Sequence, residues 1–371
     1  MLTDSESALA REVLIHGPIS RRALTTRLGL SAASLTRLTK PFLDRGILVE
    51  RDEAPDGSVG RPSRPLDVAS ELGVFVGVKL TGDRVYAART DVRAQLLARD
   101  DRPLPARDPD AVVACILEVL AAIGGGRVNG IGVSVGGVVH GGVVEFAPFL
   151  GWSDVDFGAL LSARTGTPVT VENDLVALAE AERWFGLGRG IPGFSVITIG
   201  AGIGYALVAH GEVVRSREAG VGLGGHIPLA AHGPVCDAGH RGCAQAMLTS
   251  GSIAAQVSHA LGRSVTYDDV LALARGGDPA ARAVTGSGAD ALGRFIALAA
   301  NLTLQPAVVL AGDGIALFHL EEERVRAAIA ADRDPRADTV ALFVDDSSFT
   351  AWARGAAAVA IQAAVASLTL S

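Results

Sequence analysis

The chain changes character near residue 70, and that change limits what it can fold into. Residues 1–70 carry 10 Lys/Arg against 9 Asp/Glu, while the rest carries 23 against 31. The leading part reads as short helices with a basic face. The remainder is a glycine-rich, largely apolar succession of strands and helices. At 371 residues the chain exceeds one ordinary core and should divide into two or three domains. A hydrophobic fraction of 49% with 45 Gly suits a folded body and excludes a disordered chain. The net charge of -7 argues against a general nucleic-acid coat but leaves room for a local reader.

In the first part, Ala8, Leu9, Val13, Leu14 and Ile15 recur at helical spacing, and His16-Gly17-Pro18 stops that helix. Ser20 can cap a second helix whose Leu24 and Leu28 face inward. Gly29 permits a tight turn, and Ser31 caps a third helix, SAASLTRLTKPFLDRG. On this third helix Leu35, Leu38 and Phe42 pack, which leaves Ala33, Ser34, Thr36, Arg37 and Lys40 exposed. Pro41 is expected to kink it. Two short helices across such a turn predict a helix-turn-helix, with the third helix as major-groove reader. Arg21, Arg22, Arg27, Arg37 and Lys40 lie in a stretch free of acids before Asp44. Small Ala33 and Ser34 beside Ser31 allow close approach, and Arg37 can reach a base edge or a phosphate. Ile47–Glu50 and Pro65–Val68 then read as two strands of a wing about Pro55-Asp56-Gly57. Arg61 and Arg64, each beside a proline, suit a narrow minor groove, or else a plain linker. The partner implied is double-stranded DNA.

The body opens with strands at Val74–Leu80 and Val85–Thr90 and a helix at Asp108–Ile123. A buried strand at Val128–Val135 ends in Gly136-Gly137, and Val138–Val144 is expected to pair with it as a hairpin through His140-Gly141-Gly142. Phe157–Thr165 reads as a helix, Pro168–Val171 as a strand and Asp174–Phe185 as a helix. A second series begins near Gly193 with SVITIG, AGIG and YALVAH. It continues with a helix around Gly288–Thr303, the strands AVVLAG and TVALFV, and an Ala-rich helix from Phe349. This order predicts an α/β fold with two ribonuclease-H-like lobes of the actin and hexokinase kind. The expected divisions are a winged helix-turn-helix over 1–70, a first lobe over 71–192 completed by 349–371, and a second lobe over 193–348. No secretory signal pattern and no uninterrupted apolar run of 18 residues is evident, so a cytoplasmic protein with no membrane partner is expected. Three cysteines cannot build a disulfide framework. Cys115 lies in an apolar run and reads as packing, whereas the spacing of Cys236 and Cys243 suggests metal.

Four segments in order carry a specific resemblance: VTVENDLVALAEAERWFG, SVITIGAGIGYALVAHGEVV, GLGGHIPLAAHGPVCDAGHRGC and NLTLQPAVVLAGDG. With them the chain resembles the ROK family (repressors, open reading frames and kinases), in its winged-helix regulator branch, over roughly 5–68 and 72–370. The resemblance implies a sugar or sugar phosphate held between the lobes by Gly136, Gly137, Asn173, Asp174, His226 and Gln245. It also implies a homodimer or homotetramer on an inverted-repeat operator. Asp174 matches the base of the sugar kinases; it can equally accept a bond from a sugar hydroxyl or cap its helix. The kinases carry Asp-x-Gly-Gly-Thr where this chain has Lys79-Leu80-Thr81-Gly82-Asp83, so neither a nucleotide cofactor nor enzyme activity is expected. Two further family carboxylates are replaced by Leu223 and Gln245. Family regulators hold structural zinc with one His and three Cys. Here His226, Cys236 and Cys243 match, but the middle Cys is Ala238. His240 is the first choice for the missing donor, with Asp237, His232 or water as others, and a decayed site as the alternative. The function implied is a repressor of carbohydrate-use genes, with its effector coupled to the reader through the oligomer. The alternatives are a body that only oligomerises and, from the enzyme class, an ATP-dependent sugar kinase.

Overall fold

The computed structural model describes residues 2–52, 64–216, 218–347 and 349–370. They form two compact units, Met1–Phe185 with Phe349–Ser371, and Gly186–Ser348.

The first unit begins with three capped helices. At α1 (Asp4–His16), the Thr3 side chain accepts from Glu6 N–H and the Glu6 carboxylate accepts from Thr3 N–H, a reciprocal capping box. Ser20 caps α2 (Arg21–Leu28), which ends on Gly29 in the left-handed region at φ 64°. Ser31 caps α3 (Ala32–Asp44), which continues through Pro41. Leu9, Val13, Leu24, Leu35 and Phe42 close their core. The wing comes next, as β1 (Leu48–Glu50) antiparallel to β2 (Leu66–Val68), with Leu48 opposite Val68. Arg61 and the wing turn at 55–57 lie outside the described residues.

The first lobe runs β3 (Phe75–Leu80), β4 (Arg84–Thr90), β5 (Leu96–Pro103), α4 (Pro109–Ala122), β6 (Gly130–Val135), β7 (Val138–His140), β8 (Val143–Ala147), β9 (Trp152–Val155), α5 (Phe157–Thr165), β10 (Val169–Asn173) and α6 (Asp174–Trp184). Its main sheet has the order β10-β6-β3-β4-β5, parallel from β10 to β3 and antiparallel beyond. The expected hairpin with β6 is not formed. Instead β7, β8 and β9 make a separate antiparallel sheet, turning at Gly141-Gly142. Gly137, at φ 144°, breaks the strand before it can fold back on β6.

The second unit repeats the plan with β11 (Phe194–Ile199), β12 (Ile203–Ala209), β13 (Glu212–Val213), α7 (Ala244–Leu248), α8 (Ser250–Leu261), α9 (Tyr267–Arg275), α10 (Pro279–Thr303), β14 (Ala307–Ala311), α11 (Ala316–Leu320), α12 (Glu322–Ala331) and β15 (Ala341–Val344). Its sheet order is β13-β12-β11-β14-β15.

The last helix, α13 (Phe349–Ser367), returns to the first unit and packs on β3, β6 and α6. Glycines make this approach possible: a Cβ on Gly77 would lie 1.7 Å from Ala353 O, and one on Gly132 would lie 1.8 Å from Ala356 O. By length and composition α13 could cross a membrane, but its small residues from Ala351 to Ile361 are buried in the lobe. One apolar cluster contains Leu9, Val13 and Leu66 of the winged helix together with Phe75, Trp184, Ala360 and Ile361 of the lobe. Arg93, between β4 and β5, donates to the carboxylate of Asp67 on β2 and to Leu14 O and Val13 O at the end of α1. Asp67 is buried and also accepts from Arg51 at 2.9 Å. The winged helix is therefore fastened to the lobe by a shared core, the Arg93–Asp67 ion pair and the bonds from Arg93 to α1.

Candidate functional site

The outer face of α3 is built by the packing of its inner one. Leu35, Thr39 and Phe42 are buried, so Ser31, Ala33, Thr36, Arg37 and Lys40 are exposed on the other side, with Ser34 half-buried at their edge. Ser31 Oγ accepts from Ser34 N–H at 3.1 Å and lies 3.0 Å from Ser34 Oγ, so these hydroxyls fix the start of the helix. Thr36 donates to Ala32 O. Arg21 is paired to Glu50 and Arg27 to Glu12. Arg64 lies 3.8 Å from Glu50. By contrast, Arg37 and Lys40 have no side-chain partner among the described residues. Two unpaired cations on an exposed amphipathic helix, between small residues, can meet phosphate and a base edge at once.

In the first lobe, Gly136, Gly137, Asn173 and Asp174 come together where β6 ends and α6 begins. Asn173 is 4% exposed. Its side-chain oxygen accepts from Leu175 N–H and Val176 N–H, and its amide donates to Gly137 O at 2.8 Å. It joins the Gly137 loop to the first turn of α6. Gly137 admits no side chain, since a Cβ there would lie 2.0 Å from Phe146 O. Asp174 Oδ1 accepts from Leu175 N–H at 2.8 Å, and Oδ2 is bonded by the ammonium of Lys79. That pairing was not anticipated. Lys79 is 5% exposed and its Nζ stands 5.1 Å from the ring centroid of Trp352 on α13. The one signal in the sequence is a lysine inside the apolar strand VGVKL, since a buried lysine calls for a carboxylate. Phe149 is a second residue that sequence reasoning missed. It is 55% exposed, and its ring and Asp174 Oδ2 both border Gly136, at 3.6 and 3.3 Å from where a Cβ would stand. Trp152 belongs to the core: it is 4% exposed, donates to Arg107 O and packs on Phe157.

The second unit holds His226, Gln245 and the cysteines. Gln245 Oε1 lies 3.6 Å from where a Cβ on Gly225 would stand, beside His226. The donor atoms of His226, Cys236 and Cys243 all lie within 4.8 Å of one another. His240 Nδ1 is 3.1 Å from His226 Nδ1 and 3.8 Å from Cys236 Sγ, so its ring reaches two of the three. Such separations suit donors about 2.0–2.3 Å from a tetrahedral zinc. A tight knuckle makes the convergence: Cys236 N–H donates to His240 O, Gly239 N–H to Cys236 O, and Gly242 N–H to Pro234 O. Asp237, Ala238 and His232 are exposed. Burial pushes the Cys236 thiol up, but N–H groups of His240 and Ala238 outweigh it and hold the thiol below its ordinary value. Cys115 packs in the first lobe, and burial raises its thiol. In the hairpin between β11 and β12, Asp313 Oδ1 sits so near Gly200 that a Cβ there would lie 1.6 Å away. A carboxylate against this glycine turn opposes the approach of a polyphosphate.

Residues 75–363 match the ROK family, and the chain belongs to it. A transcriptional regulator of Mycobacterium tuberculosis is 28% identical over 352 residues, spanning 89% of this chain and 79% of the relative. The DNA-binding transcriptional repressor Mlc of Escherichia coli is 25% identical over 317 residues, spanning 80% and 77%. The crystal structure of a ROK family transcriptional regulator, a homolog of the E. coli MLC protein, superposes with a TM-score of 0.80 at 26% identity, covering 97% of this chain and 96% of that one. The chain is thus of the transcriptional-regulator kind within the family, not of the kinase kind.

Proposed function

We propose that this protein is a repressor of carbohydrate-use genes that reads DNA through α3 and answers to a small effector held by its body. The observation that carries the reading is the unpaired Arg37–Lys40 face on a winged helix fused to a ROK body. Ser31, Ala33, Ser34 and Thr36 allow the helix to sit close to the groove, and Arg61 and Arg64 reach the adjacent minor groove from the wing. Gly136, Gly137, Asn173 and Asp174 are the effector's candidate contacts on the first unit, and His226 and Gln245 are those on the second. The partner is an inverted-repeat operator read by a homodimer or homotetramer, since two readers fit two half-sites only at spacings of a helical turn or its multiples. The working place is the cytoplasm. Zinc held by His226, Cys236, Cys243 and His240 braces the effector histidine from behind and does no chemistry. The signal runs inside the chain: α6 begins at Asp174 and ends at Trp184 in the shared core, and α13 leads from Trp352 beneath Lys79 to Ile361 in that same core. An effector changes DNA affinity only so far as it binds one arrangement of these helices better than the other.

Replacing Arg37 with Ala should weaken specific DNA binding by roughly 1–3 kcal/mol while leaving the melting temperature unchanged, because the side chain holds nothing in the fold. Unchanged affinity in a titration on a selected binding site would remove Arg37 from the interface. With ATP, Mg²⁺ and glucose or N-acetylglucosamine, the protein should form no sugar phosphate above a no-protein control. Turnover that disappears in Asp174→Asn would replace the regulator reading with a kinase.

A further inference from the structure

Each acceptor group on the first-lobe wall of the effector site already takes a bond from within the protein. Asp174 Oδ1 takes Leu175 N–H, and Oδ2 takes Lys79. Asn173 Oδ1 shares that same N–H and also takes Val176 N–H, and Gly137 O takes the Asn173 amide. A hexose hydroxyl both donates and accepts, but an ammonium N–H bonds a charged oxygen more strongly than a neutral hydroxyl. The least engaged group on this wall is a donor. The Lys79 ammonium carries three N–H bonds, and Asp174 is its only hydrogen-bond acceptor among the described residues. A lysine only 5% exposed with donors to spare leaves a deficit that a ligand acceptor would make good, most strongly a charged one. Asp174 needs no ligand to remain satisfied: it begins α6, where the helix end favours a carboxylate. Next to it the half-exposed ring of Phe149 offers an apolar face to a ring-shaped ligand.

We propose that Lys79 makes this site selective for an anionic ligand, one that presents a carboxylate or phosphate oxygen to its ammonium and a ring to Phe149. The proposal rests on the effector site assigned above and names the chemistry of its ligand. The acidic group enters as a third member beside Asp174, accepting a free N–H of Lys79 without displacing the pair.

The test is calorimetric titration of the full chain with glucose, mannose and N-acetylglucosamine, each beside its 6-phosphate, with glucuronate and inorganic phosphate as further arms. At least one acidic sugar should bind about tenfold or more tighter than its neutral parent. Lys79→Met should abolish that preference and Lys79→Arg retain it, with melting curves of both variants confirming the fold. Lys79→Gln serves as the second neutral variant if Lys79→Met fails to fold. Phosphate sugars without glucuronate, or the reverse, tell the two acidic groups apart, and inorganic phosphate alone shows whether the ring is needed. A neutral sugar that binds as tightly as its acidic forms, or an acidic preference that survives Lys79→Met or Lys79→Gln, overturns the role of Lys79 and leaves the effector site standing. Binding of neither class by the wild-type chain overturns both.

Discussion

Asp67→Ala should lower the stability of the winged helix and its seat on the lobe by about 3 kcal/mol, and specific DNA binding should fall with it. Asp67 is 3% exposed and receives Arg51 from the winged helix and Arg93 from the lobe. Removing the carboxylate leaves Arg93 partly buried beside the α1 carbonyls without its counter-charge. Burial pushes the Asp67 carboxyl up, yet the bonds from Arg93 and Arg51 outweigh it and hold the group below its ordinary value. That direction fixes the sign of the pH dependence. A carboxyl depressed in the folded state contributes its full stability above the unfolded value, about pH 4, and loses it as pH falls through the lower folded value. Urea unfolding from pH 7 down to pH 3 should show a constant gap between wild type and Asp67→Ala above about pH 5, narrowing in acid. A gap that widens in acid would refute the ion-pair account. So would Asp67→Ala protein that melts as the wild type does.

Cys243→Ala should remove zinc and a comparable share of stability. Metal analysis of untagged wild type should find about one zinc per chain. A ligand that binds only the folded state stabilises by linkage, about 4 kcal/mol at a thousandfold excess over its dissociation constant. Loss of metal should therefore lower the melting temperature well beyond the effect of deleting one small buried side chain. Stripping the wild type with a chelator should reproduce most of the effect. His240→Ala should act in the same direction if its ring supplies the fourth donor. Zinc-free wild type that melts identically to Cys243→Ala, with or without added zinc, would mean that the cluster is a group of free thiols.

The parts legible in sequence were those governed by local rules. Ser20, Gly29 and Ser31 cap and turn the chain by interactions within a few residues, so α2 and α3 fall where these residues direct. The two-lobed α/β class came from the order of strands and helices. Elements whose reason lies far along the chain were harder. β5 alternates exposed and half-buried residues and offered little hydrophobic signal. The helices α8, α9 and α12 pack on one another and on α10, and no short motif marked them. Gly77 and Gly132 look like ordinary strand glycines until α13 is seated on them. At the site, spacing pointed to Cys236 and Cys243, and the family resemblance added His226 with His240 as first choice for the missing donor; the knuckle shows the His240 ring turned toward His226 and Cys236. Lys79 read as a lost phosphate motif. Its partner lies 95 positions away, so the ion pair with Asp174 could not be seen from either segment alone. Phe149 and Asp313 escaped for the same reason.

The central claim is that a sequence-specific DNA reader is carried on this ROK body, and one measurement tests it most directly. The full chain is incubated with a random duplex pool, bound DNA is recovered and sequenced over several rounds, and the enriched site is titrated against wild type and Arg37→Ala. The expected result is an inverted repeat with half-sites a helical turn or a multiple apart, bound by wild type and weakened by roughly 1–3 kcal/mol in the variant. A pool that enriches no motif, or a motif bound equally by both proteins, would contradict it.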